Sequence, residues 1–360
     1  MRQLKTLLDR IYGCLVGGAI GDALGAAVEN WHYADIRREH GKVAEFLPQP
    51  ARSRDGQPGQ ITDDSTLRHY LCQAIIEAGG RVGPEQYAQV WLDRLKPDRL
   101  FVTERLVLEK LRLGMSPWET GRGQLLADAA IMAIAPVGII NVGDLAQAYQ
   151  DGYLLAGVHQ DGLERDAAAT IAAGTAACFS TEARPETVIE GMLAHATYEV
   201  RRLLEAGAEL ARESPDVDTF VVQFYDRLLD RTFPCPPGVS WDPQRSVAAT
   251  SREVVPAVAG LLWLCGHDPN QALVEAASFG RDADTIASVL GCMVGAIHGA
   301  SALQPEWIER CERANAGFFA EAGHGTNSFN ATAVRLLEAL QNELQKANKR
   351  AATLERLLSR

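Results

Sequence analysis

The amino-acid sequence predicts an all-α protein built as a single compact helical domain, and three observations carry that expectation. Runs rich in Ala and Leu, with apolar residues three and four apart, recur along most of the 360 residues. Strand-like alternation is scarce, and no strand–helix–strand rhythm appears. The Gly- and Pro-rich stretches at 48–59, 231–243 and 318–330 read as loops, and none has the composition of a flexible interdomain linker. With 47% hydrophobic residues the chain has ample apolar material for one large core.

The elements follow in order. The N-terminal stretch MRQLKTLLDRIYGCLVGGAIGDALG has the basic start and apolar run of a secretory signal, but Asp9 and Arg10 precede the run and Asp22 interrupts it. It reads as a buried helix. Helical periodicity then marks 64–77, 84–95, 166–178, 185–195, 200–212, 251–265 and 270–278. The stretch 285–303 is long enough to suggest a membrane span, yet it is rich in Gly and Ala and contains His298, so it too reads as a buried helix. Gly13-Cys14-Leu15-Val16-Gly17 echoes Gly291-Cys292-Met293-Val294-Gly295. Small residues at that spacing let helix backbones approach closely, so two glycine-faced helices are expected in one core. After a domain spanning 1–330, residues 331–360 form an amphipathic helix. Leu337, Leu340, Leu344, Ala347, Ala351, Leu354 and Leu358 step by three and four over about three heptads. That pattern suits a short coiled coil joining two copies, or a helix docked on its own domain.

Charge and cysteine usage narrow the function classes. A net charge of −11 argues against non-specific binding to nucleic acid or anionic membranes, which a Lys/Arg excess would drive. Seven scattered cysteines, never spaced as CxxC, fit reduced thiols in a cytoplasmic protein better than a disulfide framework or zinc ribbon. A phosphate-cradling GxxxxGK[ST] loop and a GxSxG nucleophile elbow are both missing from the sequence.

Three acidic clusters interrupt apolar or small-residue surroundings: Gly21-Asp22-Ala23-Leu24-Gly25 with Glu29, Gln60-Ile61-Thr62-Asp63-Asp64-Ser65, and Gly280-Arg281-Asp282-Ala283-Asp284-Thr285. The second and third precede helical runs, where one Thr or Asp would serve as an N-cap. Capping does not account for the paired carboxylates, Asp63 with Asp64 and Asp282 with Asp284. At a loop–helix junction such pairs can converge, and with the Thr62 and Thr285 hydroxyls they make an oxygen-only donor set suited to Mg²⁺, Mn²⁺ or Ca²⁺. Four or five such carboxylates suffice for two ions, an arrangement that activates water and clamps a substrate oxygen.

The succession GCLVGGAIGDALGAAVE, ITDDS and FGRDADTIASVLGCMVGAIHG resembles the ADP-ribosylglycohydrolase family, over residues 11 to 300 or so. The resemblance implies an all-α fold around a centre of two divalent ions, Mg²⁺ or Mn²⁺, at the base of a cleft. Thr62, Asp63 and Asp64 match the first ligand motif, Thr-Asp-Asp-Thr, with Ser65 in place of the last Thr. Asp282, Asp284 and Thr285 match the second, Asp-x-Asp-Thr, with Asp284 as the bridge between the metals. Glu29 stands where some members carry a glutamate that approaches metals and substrate, and Asp22 matches a supporting aspartate. His159, in Gly157-Val158-His159-Gln160-Asp161, resembles a histidine lining the substrate cleft, or is a satisfied histidine near a helix start.

The family's Gly-Asn-Gly-(Ser/Ala)-x-Met-Arg stretch is altered here. Residues 127–136 place Asp128 where Asn is usual and Ala133 where Arg is usual. An added carboxylate and a missing cation make a pyrophosphate less welcome, so an ADP-ribosyl and a smaller ribosyl substrate both stay open. What the resemblance implies is a hydrolase cleaving a C1 glycosidic bond of an ADP-ribosylated protein or small ribosyl compound by a metal-activated water, with Glu29, Asp63 or Asp284 as proton acceptor. The alternative is a non-catalytic, crystallin-like binding or structural member of the same fold.

Overall fold

At the centre of the structure, two helices far apart in the chain, Arg2–Gly25 and Ala283–His298, pack antiparallel along their glycine faces. The contact repeats every fourth residue: Gly13 meets Gly295, Gly17 meets Gly291, Gly21 meets Ala287 and Gly25 meets Ala283. A Cβ on Gly17 would lie 2.5 Å from the Gly291 carbonyl oxygen, and one on Gly25 would lie 2.5 Å from the Asp284 Cα. Backbone touches backbone, which only glycine permits. The echoed pentapeptides are thus the two sides of one interface.

The structure is a computed structural model that describes residues 2–49, 56–97, 100–229 and 249–359. It is 71% helical, with 18 α-helices and no strand among the described residues. Pro269–Ala277 packs on both central helices, and Ser251–Cys265 lies against Pro269–Ala277 and Ala283–His298. The alanine-rich helix Gly162–Ala177 is buried along nearly its whole length. Its small side chains let Leu145–Ala156, Ala135–Ile140 and Pro185–His195 crowd round it. Asp63–Ala78 packs against Ala129–Ala133 and against the last helix, Phe329–Leu358.

All seven expected helical runs are helices, within a few residues at each end. Both apolar stretches considered as targeting or membrane signals are buried core helices, and no helix among the described residues is long and apolar enough to cross a membrane. The expected loop at 318–330 is a loop only over 323–328; residues 318–322 are helical, and 329–330 open the last helix. Phe318 and Phe319 set their rings edge-on to His69 and close the helix Ala316–Ala322 before Gly323 ends it. Tyr33–His40, Val102–Arg112 and Val217–Arg227 are helices that the periodicity did not mark. The segment 231–243 and Cys235 lie outside the described residues; the other six cysteines are buried and unpaired.

Candidate active site

The glycine contact brings the C-terminal end of the first helix beside the start of Ala283–His298, and the acidic motifs gather there. Asp22 is fully buried and accepts from the Thr62 N–H (3.1 Å), the Thr62 hydroxyl (2.8 Å) and the Ser65 N–H (3.1 Å). An aspartate from one helix therefore caps the next, satisfying N–H groups at the start of Asp63–Ala78. Thr62 also accepts from the Asp64 N–H at 3.4 Å. With the helix end served by Asp22 and Thr62, Asp63 and Asp64 are free for other duties. Beneath them the buried Arg68 guanidinium donates to the Ser65 hydroxyl (2.5 Å), the Ser288 hydroxyl (2.8 Å) and the Met132 carbonyl (3.2 Å), joining both motif-bearing helices.

The third motif is fixed through Arg281. Its φ of 58° lies in the left-handed region, as does that of Asn30 at 68°. The Arg281 N–H donates to the Trp31 carbonyl (2.8 Å) and the Asn30 N–H donates to the Arg281 carbonyl (2.7 Å), so the loop carrying Glu29 is stitched to the residue before Asp282. The Arg281 side chain is buried in a two-pronged pair with Glu253, at 2.7 and 2.5 Å. Removing one partner of such a pair strands a buried charge, so Glu253→Ala is expected to cost about 3–5 kcal/mol, read from urea unfolding. Asp282 sits at the N-cap position of its helix yet makes no capping bond, and Asp284 follows in the first turn. The pair's purpose lies elsewhere.

Electrostatics shows that the clusters meet. Asp284 is pushed well above the usual carboxylate range by burial and then by Glu29, Asp282, Asp22 and Asp63. Burial, then Asp284, Asp22, Asp63 and Asp282, do the same to Asp64. Asp282 rises through burial and then its neighbour Asp128. Burial pushes Asp128 up to about 8, and burial followed by Glu104 pushes Asp63 up to about 7. One oxygen each on Asp64, Asp128, Asp282 and Asp284 is buried without a hydrogen-bond donor. Unserved buried carboxylate oxygens are costly, and Arg281 is already committed to Glu253, so the chemistry of this donor set fits hard divalent cations. Among the described residues no three His, Cys, Asp or Glu side chains are placed to hold a metal ion by themselves. The Thr62 and Thr285 hydroxyls and solvent would therefore have to share the coordination.

These groups set a pH dependence. A carboxyl held above its unfolded value of 3.8 binds more protons when folded, so its stabilising contribution is lost as pH rises toward the folded value. His69 and His159, lowered to about 3 by burial, oppose this only below their unfolded value of 6.5. Above it the carboxyls outweigh the one opposing group nearby, Cys292, lowered to about 7 by its hydrogen bond with Cys14. In chelator, the melting temperature is expected to fall steadily from pH 6.5 to 8.

The remaining expected site residues are placed as follows. Thr285 is buried beside Asp284, and Glu29 is half-buried, receiving the Asn30 side-chain amide at 3.0 Å. Asp128 faces Asp282. His159 sits in an aromatic nest, stacked on Tyr87, edge-on to Trp91, with its Nε2 3.1 Å from the Tyr87 hydroxyl. Ala133 is buried. Glu104, on Val102–Arg112, is a residue the sequence reading missed: it is 2% exposed, is the strongest charged neighbour of Asp63, and has one buried oxygen without a partner. Just outside Glu29, a cavity of about 350 Å³ is lined by Asn30, Trp31, His32, Asp35, Arg38 and Glu39.

Comparison with known proteins bears on the family and the fold. The model of the ADP-ribosylglycohydrolase family matches residues 3–346. ADP-ribosylhydrolase ARH3 of Bos taurus is 25% identical over 341 residues, covering 85% of this chain and 89% of that protein. ADP-ribosylarginine hydrolase Tri1 of Serratia proteamaculans is 24% identical over 316 residues, covering 84% of this chain and 75% of that protein. Among solved structures, an ADP-ribosylglycohydrolase-related protein complex shares the fold with a TM-score of 0.67 at 20% identity, over 93% of this chain and 99% of that one. The family match runs past the 330 boundary into the first turns of the last helix. The chain belongs to the ADP-ribosylglycohydrolase family and is a glycosidic-bond hydrolase of that type.

Proposed function

We propose that the chain hydrolyses the C1 glycosidic bond of an ADP-ribosyl or related ribosyl substrate at this acidic centre, with Thr62, Asp63, Asp64, Asp282, Asp284 and Thr285 holding two divalent ions, Mg²⁺ or Mn²⁺. The observation that carries it is the convergence of Asp22, Glu29, Asp63, Asp64, Asp128, Asp282 and Asp284 from distant segments, with four carboxylate oxygens buried and unserved. When bound, such ions supply the positive charge that polarises a substrate oxygen and makes water a stronger nucleophile. The chain's own groups then divide the work. Glu29 and Asp63 are half-buried while Asp284 is buried, so the first two face the side from which water and substrate arrive and can take up the proton of the attacking water. Asp22 and Arg68 hold the ligand-bearing helices in register. Asp128 and Ala133, where the family usually has Asn and Arg, make the pocket less welcoming to a pyrophosphate, so a smaller ribosyl substrate stands beside an ADP-ribosyl one. Buried, unpaired thiols suit a cytoplasmic protein.

Mass spectrometry of a reaction panel tests this: ADP-ribosyl-arginine, ADP-ribosyl-serine and simple ribosides, each with Mg²⁺, Mn²⁺ or chelator. Metal-dependent release of free ADP-ribose would name the leaving group, and cleavage of small ribosides alone would show that residues 127–136 have redirected the pocket. Calorimetric titration supplies a readout apart from turnover. Saturating metal is expected to flatten the pH slope seen in chelator; absence of metal binding would overturn the proposal.

A further inference from the structure

Asn30 is held in the left-handed region, at φ 68°, in the loop that joins Arg2–Gly25 to Tyr33–His40. Glycine enters that region at no steric cost, and it does so across the stitch at Gly280, where φ is 78°. Asn30 and Arg281 keep a side chain there instead. Arg281 uses its own to grip Glu253. Asn30 uses its own on Glu29: the side-chain amide donates to Glu29 Oε1 at 3.0 Å. Backbone strain of this kind persists only where the surroundings over-determine it, and it gathers at functional sites.

We propose that Asn30 is a positioning residue that fixes the Glu29 carboxylate for its part in hydrolysis, which rests on the reading of Glu29 as a group that takes up the proton of the attacking water. Asp63, Asp282 and Asp284 all repel the Glu29 charge. A long, half-buried side chain under that repulsion has many orientations open to it, whereas a proton acceptor must sit within hydrogen-bond reach of one water. The Asn30 amide gives it one resting place. Being neutral, the amide does so without cancelling the charge that makes Glu29 a base, as a lysine or arginine would. An ionised carboxylate accepts at about four positions, so one donor does not use it up. The donor is itself anchored to the third acidic motif. The Asn30 N–H bonds the Arg281 carbonyl, the Arg281 N–H bonds the Trp31 carbonyl, and Arg281 directly precedes Asp282. Glu29 is thereby set at a fixed offset from Asp282 and Asp284. Asn30 is exposed and lines the cavity just outside Glu29, so its hold is applied from the solvent side of the site.

Nuclear magnetic resonance of the full chain labelled with ¹⁵N-asparagine tests the contact without any substrate. The Asn30 side-chain amide signal, identified by its loss in Asn30→Gly, is expected to move in Glu29→Ala; an unmoved signal overturns the proposal. Turnover tests the consequence, with Mn²⁺ and the panel of ADP-ribosyl-arginine, ADP-ribosyl-serine and simple ribosides. Asn30→Gly relieves the backbone and removes the donor. It is expected to keep or slightly raise the melting temperature and to leave Mn²⁺ affinity and KM unchanged, while kcat falls by about 10- to 100-fold. Asn30→Asp suits the left-handed conformation nearly as well and turns the donor into a like charge, so its kcat is expected to fall at least as far. In a Glu29→Ala background neither change costs anything further, because Asn30 acts through Glu29. Full kcat in Asn30→Gly, or losses that add in the double variant, overturns the positioning role and leaves the hydrolase reading standing. Turnover by Glu29→Ala at the parent's rate overturns Glu29's own part in the reaction, and the proposal with it.

Discussion

Replacing Asp284 by Asn is expected to stabilise the metal-free protein while abolishing its activity. The carboxylate sits among Glu29, Asp282, Asp22 and Asp63 with one buried oxygen unserved, so its charge is a liability to the fold unless a cation offsets it. The amide keeps the shape and removes the charge. In chelator at pH 8 the Asp284→Asn protein should be more stable by about 1–4 kcal/mol, by analogy with the gain when a buried ion pair gives way to uncharged residues of similar volume. Turnover should fall by more than about 10²-fold, as when a preorganised electrostatic contact is lost. Thermal denaturation and a single-turnover assay on the same preparation check both halves. A variant less stable than the parent in chelator would show that the carboxylate already has a partner in the fold. Stability and function are thus set against each other at one residue.

The second large effect belongs to the glycine interface. Gly291→Val places side-chain atoms where the Gly17 carbonyl stands, with the Gly17 carbonyl carbon 2.8 Å from the new Cβ. Neither helix can retreat, because Pro269–Ala277 packs across both. A loss of about 4 kcal/mol or more is expected, enough to leave a marginal domain unfolded. The control is Gly317→Ala, in the helix Ala316–Ala322, where a Cβ would meet nothing within 4 Å. There the change should be neutral or add up to about 1 kcal/mol through helix propensity. Urea unfolding of the two variants side by side tests whether close approach, rather than glycine content, governs stability.

What the sequence disclosed and what it hid follow one physical line. Helices such as Pro185–His195 and Ser251–Cys265 were legible because alanine and leucine at helical spacing have few other uses, and their starts carry Pro or Thr. Tyr33–His40 escaped because only Ile36 of its eight residues is buried, so it has no periodic stripe to read. The acidic motifs were legible because two adjacent carboxylates exceed what a cap requires. Glu104 was not: within Thr103-Glu104-Arg105-Leu106 it looks like one more charge on a solvated helix, and its meeting with Asp63 is a tertiary fact. The stitching of Asn30 to Arg281 is likewise invisible, since backbone bonds leave no mark on residue type.

The central glycine pairing has a consequence for how the protein is made. Gly17 and Gly291 are 274 residues apart, so at about 5–20 residues per second a ribosome needs roughly 14–55 s to produce the second after the first. Throughout that interval the first helix has no partner for its glycine face, nor for Ile11, Val16 and Ile20, which are wholly buried in the finished fold. Contacts this distant along the chain also cost the most loop entropy and form last. The acidic centre, which needs Asp22 from the first of these helices and Asp284 from the second, therefore comes into being only after both have been made.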